Sequence, residues 1–139
     1  MKKKALIICV CVVVLAIIVA IPIIIINRPK SLFNINPNKV ASISIKNGGT
    51  GATTNITDAS QINQVVKDIN NFRYIKKQSL YFTYGWFYSV DFDDSSGNSL
   101  LEFVLVTSNL INYGNNSYEL PSNSTITVDY FNNLTSSAQ

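Results

Sequence analysis

The chain has 139 residues, which is enough for one compact domain besides an anchoring or targeting segment, and a second domain is not expected. It is 47% hydrophobic and only 14% charged, with a formal net charge of +3. The part of the chain after Ile26 contains eight basic and eight acidic residues, so the excess positive charge belongs to the N-terminus. We therefore expect no nucleic-acid partner, because such binding needs a basic surface on the domain.

Residues 5–26 form an apolar run that contains no charged side chain. At about 1.5 Å per residue, a helix of this length crosses the hydrocarbon core of a bilayer, which is about 30 Å thick. Lysines occupy positions 2, 3 and 4, and the positive-inside rule keeps such an end in the cytoplasm. The sequence thus predicts a cytoplasmic end over residues 1–4 and a single transmembrane helix over residues 5–26, with the lipid bilayer as its partner and the C-terminal domain outside the cell.

Two alternatives to a retained anchor are weighed. A cleaved signal peptide has the same basic start, but Ile18-Val19-Ala20 has bulky Ile18 at one of the two small positions of a cleavage site, and the apolar run continues to Ile26. A lipoprotein is indicated only by Leu6-Ile7-Ile8-Cys9, in which bulky Ile8 stands where a lipobox needs a small residue. The retained anchor remains the preferred interpretation.

The residue types needed for most catalytic and metal sites are missing from the predicted domain. Histidine is absent from the chain, and both cysteines, Cys9 and Cys11, lie in the predicted anchor. This excludes the usual zinc and copper sites, thiol nucleophiles and Ser-His hydrolase sites. We predict no catalytic residue, no metal ligand and no cofactor.

The segment after the anchor leads into the domain. Residues 27–39 contain two prolines and no hydrophobic period, and they predict a linker to a domain over residues 40–139. Residues 40–46 alternate apolar and polar side chains, as a half-buried strand does. A glycine-rich turn over residues 47–51 then leads to a second strand over residues 53–57.

A helix is predicted over residues 59–71. Asp58 is its N-cap, because Gln61 follows at capping-box spacing just before an apolar period. One apolar stripe along this helix would face the core and consists of Ile62, Val65, Val66, Ile69 and Phe72.

A meander of four strands is predicted next. Its first strand starts at Trp86, and alternation directs Trp86, Tyr88, Val90 and Phe92 to the core. The turn Asp94-Ser95-Ser96-Gly97-Asn98 leads to a strand over residues 99–107, and a further hairpin pairs residues 110–113 with 117–120. A short helix over Asp129–Leu134 completes an α+β domain, in which a small antiparallel sheet packs with one or two helices.

The acidic group Asp91, Asp93 and Asp94 is the first candidate site. An EF-hand loop needs glycine at its sixth position, and Gly97 fits this spacing neither from Asp91 nor from Asp93. Turn chemistry explains the residues instead. A carboxylate-dependent enzyme would require two or more acidic side chains to converge in one pocket, and Asp91, Asp93 and Glu102 around one cleft would meet this requirement.

The aromatic group between Leu80 and Tyr88 is the second candidate, because aromatic side chains provide large contact areas at binding surfaces. Trp86 and Tyr88 are predicted to pack in the core. The predicted binding patch consists of Tyr84, Phe87 and Tyr81.

The motifs described above follow one another in an order that is similar to that of a known group of proteins. Val-Ala-Ser-Ile-Ser-Ile over residues 40–45, the glycine-rich turn, Ile56-Thr57-Asp58 and Gly-Trp-Phe-Tyr-Ser-Val-Asp-Phe over residues 85–92 follow one another. Together with the anchor, they resemble small uncharacterised membrane-anchored or lipoprotein-like extracytoplasmic proteins of Gram-positive bacteria. The resemblance implies the cell envelope and an α+β fold, and it brings no catalytic residue.

Three functions remain open. The first is a non-enzymatic envelope protein that binds another protein, a peptide or a wall polymer. The second is an immunity or inhibitor protein acting at the membrane, and the third is the carboxylate-dependent enzyme.

Overall fold

A computed structural model of the protein describes residues 12–22, 25, 28–79, 85–124 and 126–137. In the N-terminal region, residues 12–22 and residue 25 are helical. Within the described residues, no helix combines the length and the hydrophobicity needed to cross a bilayer. The other positions of the predicted anchor, residues 5–11, 23, 24 and 26, lie outside the described residues.

The domain is α+β, as predicted from the sequence. Its elements in chain order are β1 (Lys30–Ser31), a 3₁₀ helix (Pro37–Lys39), β2 (Ser42–Asn47), β3 (Thr53–Ile56), α1 (Ala59–Asn70), β4 (Arg73–Tyr74), β5 (Lys76–Ser79), β6 (Tyr88–Asp93), β7 (Ser99–Thr107), β8 (Leu110–Tyr113), β9 (Asn116–Glu119) and α2 (Val128–Ser137). Seven strands form one antiparallel sheet in the order β3-β2-β6-β7-β8-β9-β5, and β1 pairs antiparallel with β4.

Both helices pack on one face of the large sheet. The Asp58 carboxylate accepts a hydrogen bond from the Gln61 N–H at 2.9 Å, so α1 begins at its predicted cap. Its predicted apolar stripe is buried. From α2, the Phe131 ring lies 5.3 Å from the ring of Tyr88 and 6.3 Å from that of Phe103, measured between centroids. The two helices thereby close one hydrophobic core over β6 and β7.

The segment predicted as a linker, residues 27–39, is largely part of the domain. Phe33 is only 5% exposed, and its ring stacks on Phe103 at a centroid distance of 5.2 Å. The Ile35 N–H donates to Asn70 Oδ1 at 2.7 Å, and Asn70 Nδ2 donates back to the Ile35 carbonyl at 2.8 Å. Three apolar residues between positions 32 and 35 and one distant asparagine fix this segment, and these apolar residues produce no local hydrophobic period.

The structure adds three strands to the prediction and moves several boundaries. The unpredicted strands β1, β4 and β5 pair only with partners that are distant in sequence. Strand β6 begins at Tyr88 instead of Trp86, and α2 is longer than the predicted Asp129–Leu134. The hairpins β6–β7 and β8–β9 are present as predicted.

Candidate functional site

Two aromatic side chains are exposed just before β6. Trp86 is 36% exposed and Phe87 is 46% exposed. Their backbone is held from both sides, because the Phe87 N–H donates to the Leu105 carbonyl and the Phe87 carbonyl accepts from the Gly48 N–H, each at 2.8 Å. Two neighbouring parts of the fold therefore fix the positions from which these rings project.

Gly48 contacts Trp86 closely because it has no side chain. A Cβ atom at position 48 would lie 2.0 Å from the Trp86 carbonyl oxygen and 2.7 Å from the nearest carbon of the indole ring. No side chain fits at these distances, so the indole lies directly on the backbone of the turn that joins β2 and β3. This contact explains why Trp86 does not enter the core.

A groove of about 490 Å³ opens beside these rings. It is lined by Asn47, Gly48, Gly49, Gly85, Trp86, Phe87, Tyr88, Val128 and Asn132. None of the lining side chains carries a formal charge. The groove combines aromatic surface, backbone and amide groups, which suits an uncharged ligand with both apolar faces and hydrogen-bonding groups.

A short hydrogen-bonded chain forms one wall of the groove. The Tyr88 hydroxyl donates to Asn132 Oδ1 and accepts from Asn47 Nδ2 at 3.2 Å. Asn47 Oδ1 in turn accepts from the N–H groups of Gly49 and Thr50, at 2.9 Å and 3.0 Å. Asn132 is exposed, and its side-chain nitrogen has no hydrogen-bond partner among the described residues. This amide is therefore available to a ligand.

The predicted binding patch is described only in part. Phe87 is exposed and lies on the rim of the groove, whereas Tyr81 and Tyr84 lie outside the described residues. Tyr88 is 2% exposed, as predicted. The prediction that Trp86 packs in the core is wrong, because β6 starts later and Gly48 receives the indole. Asn47 and Asn132 were not predicted, since no sequence pattern links residues 85 positions apart.

The acidic residues do not form a metal site. Asp91 on β6 and Glu102 on β7 stand directly opposite each other on the sheet face away from the helices. Ser99 Oγ donates to Asp91 Oδ1 at 2.5 Å. Partial burial, followed by the charges of Asp91 and Asp94, raises the pKa of Asp93. Within the described residues, no group of three or more His, Cys, Asp or Glu side chains is placed to hold a metal ion.

Asp94 organises the turn between β6 and β7. Its carboxylate accepts from the N–H groups of Asn98 and Ser96, at 2.9 Å and 2.8 Å. Hydrogen bonds from Asn98, first from its backbone and then from its side chain, lower the pKa of Asp94. The structure thus agrees with the turn-chemistry interpretation for Asp94, whereas Asp91 and Asp93 lie on β6.

Comparison of the chain with protein-family models, with curated proteins and with solved structures finds no match.

Proposed function

We propose that this protein is a non-enzymatic binding protein of a Gram-positive cell envelope, held in the membrane by residues 5–26 and displaying its domain outside the cell. The groove beside Trp86 and Phe87 is its binding site. The observation that carries this proposal is the exposure of two adjacent aromatic side chains, 36% and 46%, on the rim of an uncharged groove. Binding surfaces are enriched in such residues.

The anchor is supported by the sequence and by the side chains of the N-terminal helical residues. Residues 12–22 expose their apolar side chains on all sides, with Val12 and Ile18 each 61% exposed. A helix that is apolar all round is stable when hydrocarbon surrounds it. Lipid supplies that surrounding, and the lysines before the run keep the N-terminus inside.

The ligand follows from the lining of the groove. An uncharged wall that offers two aromatic faces and an available amide favours a neutral peptide or wall-polymer segment over a phosphate or another anion. The hydrogen bonds that hold Phe87 and Asn47 fix the site before the ligand arrives, which reduces the entropy cost of binding. None of the described residues that line the groove carries a carboxylate, and this favours binding over carboxylate catalysis.

The test uses the full-length protein in nanodiscs, titrated with soluble peptidoglycan fragments and followed by the fluorescence of Trp86, the only tryptophan. We expect saturable binding that Phe87→Ala weakens about tenfold, equivalent to about 1.4 kcal/mol. Leu100→Ala is the matched control, because Leu100 is 40% exposed but lies outside the groove. Its affinity should equal that of the wild type.

A second arm separates the binding protein from an immunity or inhibitor protein. Tagged protein is solubilised from membranes, and its copurifying partners are compared between wild type and Phe87→Ala. A stoichiometric toxin that is lost in Phe87→Ala would favour the immunity function. Equal behaviour of wild type and Phe87→Ala in both arms would contradict the proposed site.

A further inference from the structure

Basic side chains are concentrated where the chain enters the domain. Five of the eight basic residues after Ile26 lie within β1, β4 and β5 or two residues before β1, and all five are exposed: Arg28, Lys30, Arg73, Lys76 and Lys77. Strand pairing brings them together, because Lys30 stands opposite Tyr74 and Ser31 stands opposite Arg73. Only Ile75 separates β4 from β5. We call these five residues the basic collar.

The collar keeps a surplus of positive charge. Glu119 on β9 stands opposite Lys76 and offsets one of the five charges. Four further acidic residues, Asp91, Asp93, Asp94 and Glu102, belong to β6, β7 and their connecting turn, which lie several strands away in the sheet. Within the large sheet, Lys76 and Lys77 therefore lie on the edge strand β5, whereas four of the eight acidic residues lie on the central strands β6 and β7 and their connecting turn.

We propose that the basic collar lies against the anionic lipid headgroups of the membrane that holds the anchor. This inference rests on the proposed anchor. Lys30 is four residues beyond Ile26, and four extended residues reach about 14 Å at most. Strand β1 is then close to the headgroups, and its pairing with β4 brings the rest of the collar to the same surface.

Arg73 is the fixed point of the collar. Its Nη1 donates to the carbonyl of Asn70, the last residue of α1, at 3.1 Å and to that of Phe72 at 3.0 Å. The guanidinium is therefore positioned by the domain and not by the anchor. Several cations at one surface attract an anionic bilayer over about one Debye length, which is about 10 Å at 0.1 M salt.

This orientation leaves the aromatic groove accessible. Strand β5 is one edge of the large sheet, and β6, where the groove lies, is four strand spacings away. At about 4.8 Å per spacing, this amounts to about 19 Å along the sheet. One edge of the domain thus faces the bilayer while the groove is displayed towards the cell exterior.

The experiment compares the full-length protein in nanodiscs of phosphatidylcholine alone and of phosphatidylcholine mixed equally with phosphatidylglycerol. A membrane-impermeant acetylating reagent modifies the exposed lysines, and mass spectrometry gives the rate at each position. We expect Lys30, Lys76 and Lys77 to react several-fold more slowly in the anionic nanodiscs, with this protection lost at high salt. Lys46 is the internal control, because β2 lies five strand spacings from β5 and its rate should not depend on the lipid.

Variants test whether the collar acts as a unit. In the triple variant Arg73→Gln, Lys76→Gln and Lys77→Gln, Lys30 should lose its protection, whereas in Lys46→Gln it should keep it. Equal lysine rates in the two lipids, with the protein still in the membrane after alkaline carbonate washing, would overturn the collar alone. Release of the protein by carbonate would instead overturn the anchor and the collar together.

Discussion

At the scale of single residues, the candidate site depends on Gly48, whose backbone lies against the Trp86 indole. We predict that Gly48→Ala displaces Trp86, because the new Cβ would lie 2.0 Å from a backbone oxygen. The expected cost is about 1–3 kcal/mol of unfolding free energy, as for other overpacked sites. Urea unfolding measures it, and a shift in Trp86 fluorescence emission reports the displacement.

Gly49→Ala is the control for this prediction. A Cβ atom at position 49 would lie 3.4 Å from Asn47 Oδ1, which is close to an ordinary contact. Its stability and emission should stay near those of the wild type. If Gly48→Ala behaved like Gly49→Ala, the packing of Trp86 on the turn would be wrong.

Residues 86–92 show where the alternating pattern predicts burial correctly and where it fails. Alternation correctly predicted that Tyr88, Val90 and Phe92 are buried, because a regular strand enforces a period of two. It failed at Trp86, which precedes the strand and contacts a turn more than 35 residues earlier in the sequence. The two-residue alternation of a strand does not predict the burial of residues that lie outside the paired strand.

At the scale of elements, those specified by local chemistry were predicted best. The helix cap at Asp58 and the turn at Asp94-Ser95-Ser96-Gly97-Asn98 use side-chain hydrogen bonds within four residues, which a sequence displays directly. Strands β4 and β5 are short and polar, and they form because β1 and β9 offer free edges. Such pairing depends on the tertiary fold.

We predict that the stability contributed by the β6–β7 turn depends on pH. Asp94→Ala should lower the melting temperature at pH 7, because the hydrogen bonds that the Asp94 carboxylate accepts from Asn98 and Ser96 are lost. The pKa of Asp94 is lowered in the folded state, so its contribution exists above the unfolded pKa of about 3.9. That contribution disappears as the pH falls through the lower folded pKa.

The difference between Asp94→Ala and wild type should therefore shrink as the pH falls below about 4. Removing Asp94 also relieves its repulsion of Asp93, but repulsion between charges that remain largely in contact with solvent is weak. Ser95→Ala, in the same turn, should match the wild type at every pH. Thermal unfolding followed by circular dichroism makes the comparison, and a constant difference down to pH 2 would contradict the role of the carboxylate.

At the scale of the whole molecule, the segment between the proposed anchor and the core determines how freely the domain moves relative to that anchor. A free linker would let the domain tumble, whereas β1, Phe33 and Ile35 attach this segment to α1, β4 and β7. The sequence indicates an anchor and a domain but does not reveal this attachment. Single apolar residues among asparagines and prolines become informative only once their distant partners are known.

Phe33 is the residue on which this attachment depends most. Its ring lies between those of Phe103, Tyr113 and Phe72, at centroid distances of 5.2, 5.2 and 5.7 Å. We predict that Phe33→Ala costs about 3–5 kcal/mol of unfolding free energy, the range for a buried phenylalanine. Asn34→Ala, at an exposed neighbouring position, should change it by less than about 0.5 kcal/mol.

Hydrogen exchange distinguishes a loosened segment from a uniformly weakened domain. The Ile35 N–H, which donates to Asn70, should exchange much faster in Phe33→Ala, while amides at the centre of β6 remain the most protected. If exchange rose equally at Ile35 and in β6, Phe33 would act only as core packing. Faster exchange at Ile35 alone would identify Phe33 as the residue that fastens the segment before β2 to the rest of the domain.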